Sequence, residues 1–283
     1  MFDTGLASIG ALSLYGNNLL VGENNGPNIA LLDISKPQAS TIVSTISAPD
    51  FANAGITSIA IGGDNGLLAV VSGRYAFDVL DYTNPKSPQI IPFILPPPPP
   101  PGGVPFNGPY VCDFDGSTAA LGDANGNVAV FRIRSGMGAS FIGQSSWSLN
   151  TITSIAVESG TFIQVAAGNY DVSQVALVSF EGAGPQPPPV TSVLVGGGPG
   201  NAGGAVAFYG LPNLFASTNN NRGITWLNTE VWPNTTVNGV AANANLNSAS
   251  VSTLGITYFP TPWWLRPFRW LSALWALIAR LFG

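Results

Sequence analysis

The chain has 283 residues, of which 46% are hydrophobic and only 8% charged, against about a quarter charged in an average soluble domain. Nine Lys and Arg face fourteen Asp and Glu, a net of −5, with no His and a single Cys, Cys112. This composition excludes intrinsic disorder, an intramolecular disulfide, a Cys/His zinc site and any catalytic triad that needs an imidazole. Three of the basic residues (Arg266, Arg269 and Arg280) lie in the last 23 positions, which leaves a body of net −8 and a tail of +3. An acidic body does not suit nucleic acid, whose phosphates need a basic face, whereas a basic tail suits an anionic surface.

The opening "MFDTGLASIGALSLYG" has neither a basic region nor a long apolar run, so it does not read as a Sec signal peptide. From there the chain is rich in Val, Ile and Thr, poor in Glu and Lys, and punctuated by 34 Gly and 24 Pro. Such a composition predicts an all-β fold with frequent turns.

Five short runs recur: "NIALLDI" (28–34), "AFDVLDY" (76–82), "NVAVFRI" (127–133), "QVALVSF" (174–180) and "GITWLNT" (223–229). Their equivalent positions Asp33, Asp81, Arg132, Ser179 and Asn228 are 48, 51, 47 and 49 residues apart. Each is preceded by two strand-like runs, as in "GALSLYG" and "NLLVGEN", and followed by a fourth, as in "TIVSTI". Gly, Asn and Asp pairs between them suit tight hairpins. Four antiparallel strands per period of about 48 residues is the period of a β-propeller blade. Five blades account for residues 7 to about 245, and "SVSTLGITYF" (250–259) reads as a sixth inner strand without normal second and third strands after it. The prediction is therefore a propeller over residues 1–259, of five four-stranded blades plus an extra strand or of six with a degenerate last blade. A C-terminal amphipathic α-helix follows within 260–283.

The first two units share "LLDISKPQAS" and "VLDYTNPKSP", a Leu-Asp-x-[Ser/Thr]-x-Pro pattern that resembles the LVIVD-repeat propellers. The match covers two of the five repeats, since Arg132, Ser179 and Asn228 replace the Asp in the others. The resemblance implies a WD40-like surface or secreted propeller without an assigned chemistry. Physically, the Asp and the Ser or Thr can bind backbone amides of the turn while Pro fixes φ.

Between the second and third units "LPPPPPPGGVP" (95–105) reads as an exposed polyproline II rod, and "EGAGPQPPPV" (181–190) and "VGGGPGNAGG" (195–204) as surface connections. Cys112, in the alternating run "YVCDFDG", reads as a small buried hydrophobe. The acids that could carry chemistry are Asp113 and Asp115, alternating on one inner strand, with Glu158 at the end of the next and Asp64 in a turn. A carboxylate pair near a central channel could cleave glycosides, but "DFDGS" also reads as an ordinary turn. "GDANGN" (Asp123, Asn125, Asn127) imitates part of a calcium loop without its Gly and terminal Glu, and a hairpin turn explains it better. Neither a catalytic residue nor a metal ligand nor a cofactor is assigned. Asn234 opens a glycosylation sequon.

Tyr209, Trp226 and Trp232 gather in the fifth repeat beside an Asn run, a combination suited to a glycan, although Trp226 falls at a core position of the repeat. After Pro267, on a helix of about 100° per residue, Arg269, Ser272, Ala273, Ala276, Ala279 and Arg280 fall within an arc of about 120°. Phe268, Trp270, Leu271, Leu274, Trp275, Leu277, Ile278, Leu281 and Phe282 fill the opposite arc of about 180°. At about 15 residues the helix is shorter than the roughly 20 needed to span a bilayer. Trp263, Trp264, Arg266, Arg269, Trp270, Leu274, Trp275, Ile278, Arg280 and Leu281 are the candidate docking residues, toward a membrane surface or a partner protein. The sequence therefore points to a non-enzymatic interaction or structural module, shown on a cell envelope or virus particle and attached through this helix, in an oligomer or larger assembly. A sugar-binding or glycoside-hydrolysing propeller is the alternative.

Overall fold

The computed structural model describes residues 4–63, 67–91, 105–108, 110–136, 138–146, 151–159, 163–169, 174–180, 191–194, 206–208, 213–218, 223–228 and 236–242. The Pro-rich and Gly-rich runs at 95–104, 181–190 and 195–204 lie outside these residues, as do Asp64, Asn234 and the whole C-terminal segment from residue 243. Among the described residues twenty strands form five antiparallel sheets of four, each laid down in chain order. The first sheet comprises β1 (Ile9–Tyr15), β2 (Asn18–Glu23), β3 (Asn28–Asp33) and β4 (Thr41–Ser47). The second comprises β5 (Ile56–Gly62), β6 (Leu68–Gly73), β7 (Phe77–Asp81) and β8 (Gln89–Ile91). The third has β9 (Val111–Phe114), β10 (Thr118–Gly122), β11 (Asn127–Arg134) and β12 (Gly138–Ser146). In the fourth are β13 (Ser154–Ser159), β14 (Ile163–Asn169), β15 (Gln174–Phe180) and β16 (Thr191–Leu194). The fifth consists of β17 (Val206–Phe208), β18 (Asn213–Thr218), β19 (Gly223–Asn228) and β20 (Thr236–Ala242).

The twenty strand runs expected for the five repeats are found within a few residues of their expected bounds, and the sixth inner strand expected at 250–259 lies outside the described residues.

Successive sheets pack face to face, and the first strand of each touches the first strand of the next: β1 on β5, β5 on β9, β9 on β13 and β13 on β17. The core is a series of seams rather than one centre. Leu20, Ile29 and Leu31 of the first sheet meet Ile59, Ile61, Ala69 and Val71 of the second. The opposite face of the second sheet, with Leu68, Val70 and Val79, meets Cys112, Phe114, Ala119 and Phe131 of the third. Ala120, Val128 and Val130 on the far side of the third meet Ile155, Val157 and Val165 of the fourth. A strand in the middle of such a sheet is buried on both faces, so it reads as an unbroken apolar run. This accounts for "LAVVSG" in β6 and "TAALG" in β10, in which every residue is buried.

The repeat extends to irregularities that hydropathy does not encode. The ladders β3–β4, β11–β12 and β19–β20 each slip by one residue, after Leu31, Val130 and Trp226. These three positions are equivalent, two residues before Asp33, Arg132 and Asn228. Each bulge lies in the outermost strand, where it bends an otherwise open edge.

Close approach fixes small residues along the seams. A Cβ on Gly22 of β2 would lie 2.6 Å from Ile56 Cγ2, and one on the equivalent Gly122 of β10 would lie 2.8 Å from Ile152 Cγ2. Ile56 and Ile152 are 0% and 2% exposed, so neither has room to retreat. Gly22→Val is therefore expected to cost about 1–3 kcal/mol through overpacking. Urea melts will check this, and a variant as stable as wild type would show that the first two sheets do not pack this closely.

Candidate functional site

The innermost strands carry the polar chemistry of the chain. β1, β5, β9 and β13 each present one side-chain oxygen to a backbone N–H of the next sheet. Ser13 Oγ accepts from Ile61 N at 3.2 Å and Asp113 Oδ2 from Val157 N at 2.8 Å. Ser58 Oγ accepts from Cys112 N at 3.3 Å and Ser154 Oγ from Val206 N at 3.1 Å. In the repeat register Ser13 and Asp113 are equivalent, and Ser58 and Ser154 are equivalent two residues earlier. The clasps therefore alternate between two levels from one seam to the next. The sequence reading missed the three serines. Their signal is visible only when the inner strands are superposed, because one Ser in an apolar strand is unremarkable by itself.

Asp113 and Asp115 are brought together at the seam between the third and fourth sheets, and each is occupied in a different way. Asp115 Oδ1 accepts from Ser117 N (2.9 Å), Thr118 N (2.8 Å) and Ser117 Oγ (3.2 Å). This is a side chain closing the β9–β10 turn. Its Oδ2 is buried and finds no hydrogen-bond partner among the described residues. Asp113 pays more for loss of hydration than it gains from its amide bonds to Val157 and Phe114, and the neighbouring Asp115 charge adds to the effect. Its carboxyl is pushed up to about 6. Ser159 Oγ donates to Thr118 Oγ1 at 2.8 Å across the same seam. Glu158 lies on β13 beside Val157, opposite Gln164 of β14.

The two Asp residues of the repeated Leu-Asp pattern cap turns. Asp33 Oδ1 accepts from Ser35 N at 2.8 Å and Asp81 Oδ1 from Thr83 N at 2.7 Å. Both carboxyls are held below the ordinary range by their turn hydrogen bonds, which for Asp81 outweigh a desolvation that pushes the other way. Asp81 also reaches the third sheet, where its Oδ2 accepts from Ser135 Oγ at 2.8 Å.

The "GDANGN" loop is a hairpin built on a buried carboxylate. Asp123, 0% exposed, takes Asn125 N and Asn127 N on Oδ1, and Asn107 N and Asn127 Nδ2 on Oδ2. N–H donors therefore occupy the positions a cation would need. Cys112 is buried as expected, and burial raises its thiol to about 12.

An acid that sequence reading did not single out is Asp78, the second residue of β7, which is 7% exposed. Desolvation, reinforced by the nearby Asp50 charge, pushes its carboxyl up to about 6.

Of the aromatic candidates, Trp226 is placed on β19 opposite Phe215 and Gly239. Tyr209, Trp232 and all ten candidate docking residues of the C-terminal segment lie outside the described residues. Among the described residues no helix is long and apolar enough to cross a membrane, and no group of three Cys, Asp or Glu is placed to hold a metal ion.

These seams define an all-β, propeller-like stack of four-stranded sheets. No family model and no curated protein matches the chain. Among solved structures it is similar to Sqt1 of Saccharomyces cerevisiae, at 10% identity over 85% of this chain and 64% of that one, with a TM-score of 0.59. It is likewise similar to a functionally unknown protein of Desulfotomaculum acetoxidans DSM 771, at 12% identity over 80% of this chain and 67% of that one, with a TM-score of 0.58. The chain thus spans less than two thirds of Sqt1. At these identities the likeness concerns the fold alone.

Asp78 and Asp113 both hold a proton more tightly when folded than an ordinary Asp at 3.8. The folded chain then binds more protons than the unfolded one between about pH 4 and 6, so these two groups lower stability as pH rises through that window. The lowered carboxyls of Asp33 and Asp81 act in the opposite sense and only below it. Asp78→Asn is expected to add about 1–2 kcal/mol at pH 7, and Asp78→Asn with Asp113→Asn to flatten the fall in Tm between pH 4 and 7. An unchanged fall in the double variant would disprove the assignment.

Proposed function

We propose that this chain is a non-enzymatic β-propeller of the interaction or scaffold kind, of five four-stranded blades, resembling the LVIVD-repeat surface propellers. It is displayed on a cell envelope or virus particle, alone or in a larger assembly, and attached through an amphipathic helix near residues 268–282. The single observation that carries the reading is the use of the inner-strand and turn acids. Asp33, Asp81, Asp113, Asp115 and Asp123 all accept backbone N–H groups and so serve the fold. The complete separation of apolar and basic or small residues in the tail supports its role as the attachment, and Trp beside Arg favours a membrane interface over a protein groove.

In the full chain, Leu274→Glu with Trp275→Glu places two charges on the apolar arc. The wild-type protein is expected to float with liposomes containing anionic lipid, and the variant to stay in the soluble fraction at least tenfold more. Wild-type protein that remains soluble and monomeric would refute the attachment. Flotation equal in both would refute the helix as its cause.

One observation favours the sugar-active alternative. Asp113, near 6, beside the ionisable Asp115, has the proton affinity of a glycosidase acid. Hydrolysis of pooled glycans that is lost in Asp113→Asn would establish that alternative in place of the non-enzymatic reading. Inactive wild-type protein would remove it.

A further inference from the structure

The first sheet has one face against the second sheet, and its other face is built as a seam. On β1, Ala11, Ser13 and Tyr15 turn toward the second sheet, where Ser13 meets Ile61 and Tyr15 OH donates to Gly63 O at 3.1 Å. Leu12 and Leu14 alternate to the other side. The ladder continues this side into two apolar rows: Leu12, Val21 and Ala30, then Leu14, Leu19 and Leu32.

Exposure along the first row falls from 63% at Leu12 to 2% at Val21 and 0% at Ala30. Among the described residues only Leu6, Leu19 and Ile34, themselves partly exposed, pack against Val21, Ala30 and Leu32. Among the described strands the fifth sheet is joined to the fourth, through β13 and β17, and no comparable contact joins it to the first. The outer part of this face, at Val21, Ala30 and Leu32, is buried, while its inner end at Leu12 stands exposed. Equivalent residues of the next four sheets, Ile59, Cys112, Ile155 and Val206, are 8%, 6%, 7% and 2% exposed, each against the preceding inner strand.

The sequence repeats an inner-strand signature near its end. Gly255-Ile256-Thr257 repeats Gly55-Ile56-Thr57, and Ile152-Thr153 shares the last two residues. The three isoleucines are 96 and 104 residues apart, two periods in each case. This short signature has a structural meaning where it is described. Ile56 and Ile152 pack onto the preceding sheet at Gly22 and Gly122. Thr57 Oγ1 and Thr153 Oγ1 donate to the equivalent carbonyls of Ser72 and Gly168. In that register Tyr258 corresponds to Ser58, whose side chain faces the following sheet, and Phe259 to Ile59, which faces the preceding one.

We propose that residues 255–259 lie along β1 as a sixth inner strand, with Tyr258 over Leu12, and so join the end of the repeat array to its beginning. The known counterpart of this contact is the Ser58–Cys112 pair, whose Oγ and Sγ are 3.6 Å apart. The proposal requires no particular role for the helix that follows, so it stands or falls separately from the attachment proposed above.

The test is a cross-link in the full-length chain. Leu12→Cys with Tyr258→Cys, in a Cys112→Ala background, is expected to form an intramolecular disulfide under mild oxidation. It should appear as loss of both free thiols with the monomer mass kept. Ser58→Cys against the native Cys112 is the positive control for the spacing, and Leu12→Cys with Phe259→Cys, which turns the second thiol to the opposite face, is the negative one. Failure of the Leu12–Tyr258 pair while the control closes would overturn the proposal. A disulfide-linked dimer would overturn it too, by assigning the open face to a second copy of the chain. As a second readout, Leu12→Asp should lower the Tm of the full chain by several degrees, and a Tm equal to wild type would mean that Leu12 stays in water.

Discussion

Burial of the second and third sheets on both faces is the constraint from which the remaining features follow. A four-stranded sheet of this size cannot bury enough surface by itself, so its middle strands become stable only when neighbours cover both sides. That requirement sets the composition of β6 and β10, where Leu, Val and Ala occupy positions that a one-sided sheet would give to polar residues. The glycines at 22 and 122 allow a bulky Ile of the next unit to seat against the strand. It also explains how a chain with so few charges can hold its shape. Few ion pairs are available, and the seams are largely apolar, with polar links along the inner strands and at the Asp81–Ser135 contact.

Along those inner strands the polar groups have a specific task. The innermost strand of each sheet has one ladder neighbour, β1 with β2 or β9 with β10, so its other edge needs partners. Ser13, Ser58, Asp113 and Ser154 satisfy part of that edge and link each unit to the next. Alternation between two levels spreads these links along the strand. At one of the four positions a carboxylate takes the place of a hydroxyl, and it is there, at Asp113, that desolvation is resisted by a raised proton affinity. A residue that looked catalytic by type is explained as a clasp by its partner, the Val157 amide.

Much of the fold was legible because a repeat multiplies weak signals. A single run such as "NIALLDI" is ambiguous, but five at nearly constant spacing are not. Turn chemistry was legible for the same reason: Asp33 and Asp81 each stand two residues before the Ser or Thr whose amide they accept. Three kinds of feature were not legible. The bulges after Leu31, Val130 and Trp226 depend on the twist of an outer edge, which leaves no residue signature. The seam serines were hidden because Ser is common in such a chain and its partner is a backbone amide some fifty positions away. Asp78 was passed over in "FDVLD" because hydropathy registers it as one more polar position beside Asp81 and not that it is buried.

The Asp123 hairpin has a consequence for how this array tolerates change. After β8 ends at Ile91, the chain is held again at residues 105–107. Asn107 N and Ala124 N bond across to Asp123 Oδ2 and Asn107 O, and Asn125 Nδ2 donates to Pro105 O at 2.9 Å. Ile91 in β8 and Asn107 against Asp123 are thus fixed by contacts of the sheets themselves. Doubling the length of a flexible connection costs only about 0.6 kcal/mol in chain entropy. The array thus has, between its second and third units, two anchors whose hold does not depend on the length of chain that joins them, so that length is free to drift over evolutionary time at little entropic cost.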